Sequence, residues 1–217
     1  MKLKIPPRLR ELFEELKVFT RNKKSFASKV FAVADYMAKS TYRATANKMK
    51  AFLEPVSKSA VWNWVKQLRS RIRPAEERRR RSLIAVDETC LKSRGERLWV
   101  WAAVDAETGE TVRLEASWHR SGLQALRFLQ RTLKLCEGRP RILVDHGPWY
   151  PWALDALRLP YQQVTHGARN RVEAFFSSLK AQTRRFNHNV NSSSAEEGLR
   201  CWERFLQGFV YWRKEVT

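Results

Sequence analysis

In residues 1–72 the hydrophobic positions recur at helical spacing. Apolar residues three and four apart predict four amphipathic helices, over residues 8–19, 27–38, 42–53 and 58–72. Ser40 or Thr41 is the expected N-cap of the third helix, and Ser57 that of the fourth. The segment Glu54-Pro55-Val56 breaks the chain between these two helices. Helix, tight turn and helix, in that order, is the pattern of a helix-turn-helix.

The fourth predicted helix has an apolar face and a polar face. Its apolar residues recur at helical spacing and would face a core: Val61, Trp64, Val65 and Leu68. Its polar face would meet the groove or the phosphates of DNA through Lys58, Ser59, Trp62, Asn63, Lys66 and Arg69. The alternative is an ordinary three-helix bundle with a solvated basic face, and the lack of a glycine in the turn favours that alternative.

Basic residues are concentrated before residue 82. The chain has 42 Lys and Arg against 22 Asp and Glu, a net charge of +20. Residues 1–81 carry 22 basic and 7 acidic residues, and the remainder carries 20 and 15. A well-solvated surface is one explanation, but an excess of this size is better explained by phosphate contacts. Residues 73–81, which follow the last helix, are predicted to be a basic linker that tracks a DNA backbone or serves as a solvated hinge.

From residue 82 the hydrophobic period changes to that of strands. Strands are predicted over residues 83–86, 97–104, 111–117, 141–144 and 161–165, and helices over 123–135, 149–157 and 170–186. The order β-β-β-α-β-α-β-α is that of the ribonuclease H-like fold, an α/β/α sandwich around a mixed sheet. The predicted domains are therefore an all-α helix-turn-helix domain (1–72), the linker, and a ribonuclease H-like domain (82–217). A last helix, Ala195–Trp212, is expected to pack on the sheet; a role in dimerisation is less favoured.

Three carboxylates lie at particular places in these elements. Asp87 ends the first predicted strand, Asp145 ends the fourth, and Glu173 lies near the start of the helix that begins at Asn170. In the ribonuclease H-like fold the first and fourth strands are parallel neighbours, so their ends meet at one edge of the sheet. Asn170, Glu173 and Lys180 would share one face of that helix.

Such a cluster of carboxylates would suit a pair of Mg²⁺ ions, which prefer oxygen ligands and can cut or join phosphodiesters. The alternative for each aspartate alone is a turn or helix-cap role, and for Glu173 alone a first-turn glutamate stabilised by the helix dipole. Glu88 follows Asp87 in the strand and would point to the opposite face. No spacing of cysteines and histidines indicates a metal site.

The few cysteines, Cys90, Cys136 and Cys201, are widely spaced, which favours a reducing compartment over a disulfide framework. No apolar run approaches the roughly 20 residues of a membrane span, and the N-terminus lacks the apolar region of a secretion signal.

Several short motifs together resemble the DDE transposases of bacterial and archaeal insertion sequences. They are Val86-Asp87-Glu88-Thr89, the hairpin ending at Gly109, Ser117-x-x-Arg120, Val144-Asp145, and Asn170-x-Val172-Glu173 with Lys180. The likeness covers nearly the whole chain and is closest to the compact group with an N-terminal helix-turn-helix. The 27 residues between Asp145 and Glu173 are fewer than is usual for this group, which implies a trimmed connection.

This resemblance implies a catalytic and metal-binding triad of Asp87, Asp145 and Glu173, with Mg²⁺ as cofactor and Mn²⁺ as a substitute. Lys180 would contact DNA near the cleavage site, and Ser57 to Arg71 would belong to the helix that reads the terminal repeat. The implied activity is 3′-end cleavage and strand transfer into target DNA by a homodimer or larger assembly, with double-stranded DNA as partner and no membrane. The expected location is the cytoplasm of a prokaryote, at the nucleoid.

Two other classes of function fit parts of the sequence. Another ribonuclease H-like nuclease, such as a junction resolvase, would use the same carboxylates and would cut without joining. A catalytically inactive, transposase-derived DNA-binding protein would act through its helix-turn-helix. A plain transcription regulator would explain the first 72 residues and leave the triad unexplained.

Overall fold

The computed structural model describes residues 5–19, 23–38, 40–72, 78–93, 95–164, 170–186 and 194–216. The chain divides into two compact units. The helical unit comprises Met1–Pro74 with Gln207–Thr217, and the sheet unit comprises Ala75–Leu206.

The helical unit contains the four helices that the sequence predicts. They are α1 (Pro7–Glu15), α2 (Phe26–Met37), α3 (Tyr42–Phe52) and α4 (Lys58–Arg71). The side chain of Thr41 accepts a hydrogen bond from the Ala44 N–H, and that of Ser57 accepts one from Ala60, both at 3.1 Å. Both residues are therefore N-caps, as predicted. Helix α1 ends earlier than expected, because Lys17 adopts the left-handed region at a φ of 46° and cannot continue a right-handed helix.

Two apolar clusters hold the helical unit together. Ala32, Ala46, Met49 and Val61 join α2, α3 and α4. The second cluster joins α1, α2 and α4 to the end of the last helix, α8 (Ala195–Val216), through Phe13, Val33, Val65, Leu68 and Trp212. The prediction that the whole C-terminal helix packs on the sheet is therefore wrong for its last turns, which belong to the helical unit.

The sheet unit is built on five strands, β2 (Leu83–Ser93), β3 (Glu96–Asp105), β4 (Thr111–Ser117), β6 (Arg141–Val144) and β7 (Tyr161–Gln163). Their order is β4-β3-β2-β6-β7, with β2 antiparallel to β3 and parallel to β6. Helices α5 (Gly122–Leu133), α6 (Tyr150–Ala156) and α7 (Asn170–Phe186) complete the predicted element order. This is the ribonuclease H-like α/β arrangement with a mixed sheet.

The central strand β2 is longer than predicted. It pairs with β3 in a hairpin as far as the pair Ser93 and Glu96, whereas its pairing with β6 ends at Ala85 and Leu143. Asp87 therefore lies within a strand and not at its end. It nevertheless lies just beyond the last residue paired with β6, where the sheet opens on that side.

The two faces of β2 have different surroundings. Ile84 and Val86 belong to the core that α5 and α6 cover, together with Trp101, Phe128 and Tyr150. Ala85 and Asp87 point to the opposite face because side chains alternate along a strand. Helix α7 packs against β2 and β3.

The described part of the predicted linker is ordered within the sheet unit. Strand β1 (Arg79–Arg80) pairs in parallel with β5 (Cys136–Glu137). Arg81 is buried and forms ion pairs with Asp105 at 3.1 Å and Glu110 at 3.0 Å. Arg81 is therefore a structural residue of this unit rather than part of a solvated hinge.

Candidate active site at the edge of the sheet

The strand register brings Asp87 and Asp145 side by side. Ile84 pairs with Ile142 and Ala85 with Leu143 across β2 and β6. Continued by two residues, this parallel register sets Asp87 opposite Asp145. The edge at which parallel strands end is the place where open α/β sheets bind their ligands.

Local hydrogen bonds orient both carboxylates. Asp145 Oδ1 accepts the backbone N–H of Gly147 at 2.8 Å, which closes a tight turn directly after β6. Asp87 Oδ1 accepts the N–H of Glu88 at 2.9 Å. The turn needs a glycine, because a Cβ on Gly147 would lie 2.9 Å from Asp145 Oδ1 and 2.7 Å from the Trp149 ring.

Glu88 is a third acidic group beside these aspartates. Its side chain is buried and accepts hydrogen bonds from Trp149 Nε1 at 3.2 Å and from the Tyr150 hydroxyl. Burial raises the pKa of Glu88, and the negative charges of Asp87 and Asp145 raise it further. The pKa of Tyr150 is raised well above its usual value by burial and by the charge of Glu88.

Strand alternation predicts the direction of the Glu88 side chain, but the sequence does not reveal its hydrogen-bond partners. A polar side chain that points into a core needs hydrogen-bond partners. The position of Glu88 in this strand therefore indicates that its carboxylate has hydrogen-bond donors. It does not indicate that Trp149 and Tyr150 supply them.

Glu173 lies in the first turn of α7, with its side chain exposed, and Lys180 is also exposed on this helix. Val172, Phe176 and Leu179 are buried on the same helix. Over the described ranges, no three Asp, Glu, His or Cys side chains lie close enough together to hold a metal ion. The structure thus brings Asp87 and Asp145 together without gathering Glu173 to them. The side chain of Asn170 lies outside the described residues.

The residues present fit a divalent cation. Asp87 and Asp145 offer carboxylate oxygens, the ligands that Mg²⁺ and Mn²⁺ prefer. Their negative charges also raise the pKa of Glu88 nearby. A bound cation would relieve this accumulation of negative charge.

The sheet unit matches a family of known proteins over most of its length. The model of the transposase DDE domain of the IS240 type matches residues 82–207. The chain belongs to the DDE-domain transposase family. The uncharacterised protein MJ0017 of Methanocaldococcus jannaschii is 34% identical over 209 residues, which span 96% of this chain and 97% of the relative.

Two solved retroviral structures show some likeness to this DDE-domain protein. A chain of the simian T-cell lymphotropic virus intasome, in complex with PP2A regulatory subunit B56 gamma, is 15% identical with a TM-score of 0.48, covering 86% of this chain and 69% of its own. The HTLV-2 integrase catalytic core domain, in complex with magnesium, is 11% identical with a TM-score of 0.46, covering 64% and 89%.

The predicted DNA contacts of this DDE-domain protein lie mainly on exposed parts of α4. Lys58, Ser59, Asn63, Lys66 and Arg71 are exposed, and Ser57 is the N-cap. Arg69 differs from them, because its guanidinium lies 5.8 Å from the ring centroid of Tyr36 and its side chain packs against Gly208. Arg69 is therefore partly committed to packing within the helical unit.

A basic cavity of about 590 Å³ lies beside α4 in the helical unit. Lys23, Lys24 and Lys29 line it, together with Asn63 and other residues of α4. Lys29 is buried, with its ammonium 5.4 Å from the Phe19 ring centroid, and burial lowers its pKa. No motif marks these lysines in the sequence: Lys23 and Lys24 precede α2, and Lys29 lies in its first turn.

Among the described residues, no helix is both long and apolar enough to cross a membrane.

Proposed function

We propose that this protein is the DNA transposase of an insertion sequence. It binds the terminal repeats of the element, cleaves their 3′ ends and transfers them into target DNA. The observation that carries the proposal is the parallel register of β2 and β6, which, continued two residues past its last pair, sets Asp87 opposite Asp145 at the open edge of a DDE-family sheet. A DNA-binding protein without catalysis has no need for two aspartates at this edge.

Asp87, Asp145 and Glu173 would hold the divalent metal, Mg²⁺ or Mn²⁺. When bound, a pair of such ions activates the attacking oxygen and stabilises the leaving oxygen of an in-line displacement. The Gly147 N–H holds Asp145 in its turn, and strand pairing holds Asp87. Glu173 would approach from the first turn of α7, and Asn170 is one turn of helix before it.

The reaction has two steps of the same chemistry. Water attacks a phosphodiester at the end of the element, the bond from phosphorus to the 3′ oxygen breaks, and a 3′-hydroxyl is released. That hydroxyl then attacks a target phosphodiester, and a target 3′-hydroxyl leaves. Neither step requires a covalent bond between the enzyme and DNA, and the three carboxylates, Asp87, Asp145 and Glu173, serve as metal ligands rather than as nucleophiles.

The helical unit would recognise the terminal repeat through the polar face of α4. Lys58, Asn63 and Lys66 are exposed there, and Ser57 begins the helix. Lys180, exposed on α7, would contact DNA near the bond that is cut. Pairing two ends of an element requires a dimer or larger assembly on DNA, and the expected setting is the prokaryotic nucleoid.

The test is an assay of joining with Asp145→Asn. Purified protein, Mg²⁺ or Mn²⁺, a labelled DNA carrying the element's own end, and supercoiled plasmid are combined. Wild type should give joined products, and Asp145→Asn should bind DNA at least as tightly but give none. Asp155→Asn, an exposed aspartate on α6, is the matched control and should behave as wild type.

The assay also separates the two other candidate functions. Cleavage without joining would identify a nuclease of the same fold, such as a resolvase. Tight binding without either reaction would identify an inactive, transposase-derived DNA-binding protein. Joining that survives in Asp145→Asn would remove Asp145 from the active site.

A further inference from the structure

A network of polar and aromatic side chains surrounds Glu88 on the face of β2 opposite Asp87; Glu88 and Tyr150 are buried in it, and Arg120 is at its exposed end. Glu88 is adjacent to Asp87 and points to the opposite face of β2. Its Oε2 accepts both the Trp149 Nε1–H and the Tyr150 hydroxyl, and its Oε1 lies 3.4 Å from Arg120. The Glu88 side chain is 4% exposed, so the carboxylate depends on these donors in place of water.

Arg120 links the network to two rings. Its guanidinium carbon lies 3.8 Å from the ring centroid of Trp99 and 4.0 Å from that of Trp149. A guanidinium at such distances from ring faces is held by cation–π attraction. Trp149 is therefore held both by its N–H bond to Glu88 and by Arg120.

Trp149 in turn contacts the turn that carries Asp145. The close approach of its ring to Gly147 leaves no room for a Cβ there. The N–H of that same glycine bonds to Asp145 Oδ1. A continuous chain of contacts thus runs from Glu88, through Trp149 and Gly147, to Asp145.

We propose that Glu88 is a positioning residue for the metal site, and that it acts with Tyr150, Trp149 and Arg120. It anchors the turn after β6 and so sets the position of Asp145 relative to Asp87. Glu88 lies on the other face of the sheet from Asp87 and is not itself a metal ligand. The inference rests on the proposed function, because it concerns how the aspartates hold a divalent ion.

Placing a buried carboxylate beside two others needs a reason. An apolar residue at position 88 would fill the core without adding a negative charge beside Asp87. A glutamate offers two acceptor oxygens, which engage donors from the loop that ends at Arg120 and from the start of α6. One side chain therefore joins three segments around the site.

The experiment measures metal binding by the full-length protein without DNA. Mn²⁺ and Mg²⁺ affinities are determined by calorimetry for wild type, Glu88→Gln and Tyr150→Phe, alongside melting temperatures in the absence of metal. Residues that orient metal ligands typically change affinity by 10–100-fold, so we expect about tenfold weaker binding in both variants. The Michaelis constant for DNA should not change, and high Mn²⁺ should restore part of the joining rate.

Two matched controls separate positioning from general loss of packing. Tyr161→Phe removes a hydroxyl from a tyrosine that packs against the same core. Glu115 lies on β4, two strands away from β2, and pairs with Arg113 of the same strand and with Arg131 of α5; Glu115→Gln removes its charge. Both controls should bind metal as wild type does, whatever their melting temperatures.

Other results would contradict the inference. Lower melting temperatures with unchanged metal affinity would make the network merely structural. If Glu88→Gln weakened metal binding and Tyr150→Phe did not, the charge of Glu88 would matter and its anchoring of the turn through Tyr150 would not. Gly147→Ala, which displaces the turn without touching Glu88, should weaken metal binding as well; unchanged affinity there would break the chain of contacts. Failure of wild type itself to bind metal would instead refute the proposed function.

Discussion

The helical unit and the sheet unit place their charged residues differently. In the helical unit, Lys58 and Lys66 of α4 are exposed, and the apolar residues of the same helix form the core. In the sheet unit, Asp87 and Glu88 are buried next to one another on the central strand. A solvated cation can meet many DNA phosphates, whereas a buried carboxylate acts only where the surrounding fold orients it. We therefore expect DNA binding by the helical unit to tolerate single substitutions. We expect catalysis in the sheet unit to be lost when one of its buried carboxylates is replaced.

The largest expected effect is on Asp87. Asp87→Asn keeps the size of the side chain but removes a charge that a divalent ion requires. Strand transfer should fall below detection while affinity for the terminal repeat is kept or improved. Gel-based joining assays and a binding titration on the same preparation measure both. A variant that still joins DNA would exclude Asp87 from the metal site.

The next largest effect is expected on the stability of the sheet unit, when a buried ion pair is broken. Arg81→Ala leaves Asp105 buried without its arginine, and removing one partner of a buried pair costs about 3–5 kcal/mol. Chemical denaturation should show this loss. Arg127→Ala, an exposed arginine on α5, is the control and should change stability little. Equal stability of both variants would show that Arg81 is dispensable.

The ion pair between Arg81 and Asp105 also makes the stability of the fold depend on pH. Burial alone would raise the pKa of Asp105, but the N–H groups of Thr108 and Glu107 and the Arg81 guanidinium hold that pKa below its usual value. The carboxylate therefore stabilises the fold at pH values above the usual pKa of an aspartate, and this contribution is lost as the pH falls through the lowered pKa of Asp105. Asp105→Asn should be less stable than wild type at neutral pH, with a difference that shrinks in strong acid.

A smaller effect is expected from the lysines of α4. Lys58→Ala combined with Lys66→Ala should weaken DNA binding for all sequences and reduce the salt slope by about 2. Lys134→Ala, exposed in the sheet unit, is the control. Arg69→Ala should instead lower the melting temperature, because Arg69 packs on Tyr36 and Gly208. An unchanged salt slope in the double variant would move the DNA-binding surface away from α4.

The smallest effect concerns the start of α4. Ser57→Ala removes the hydrogen bond to the Ala60 N–H and should cost about 1 kcal/mol. Thr41→Ala at the start of α3 is the comparison, with the same bond length and a similar expected loss. Thermal unfolding measures both. A loss in one but not the other would show that the two caps are not equivalent.

The sequence by itself determined the local elements and the candidate aspartates. Helix starts at Thr41 and Ser57 were readable because a cap is decided by neighbouring residues. Alternation along β2 was readable for the same reason, since it follows from strand geometry alone. The ribonuclease H-like order of elements then placed Asp87 and Asp145 together.

Only the tertiary structure decided the contacts between distant segments. Glu88 meets Tyr150 across 62 positions, and Arg81 meets Asp105 across 24. The division of α8 between two units likewise depends on Trp212 reaching a core built from the first helices. These contacts depend on which side chains the folded chain brings together, and no local periodicity encodes that choice. The position of Glu173 relative to the two aspartates belongs to the same class, because it depends on how α7 lies on the sheet.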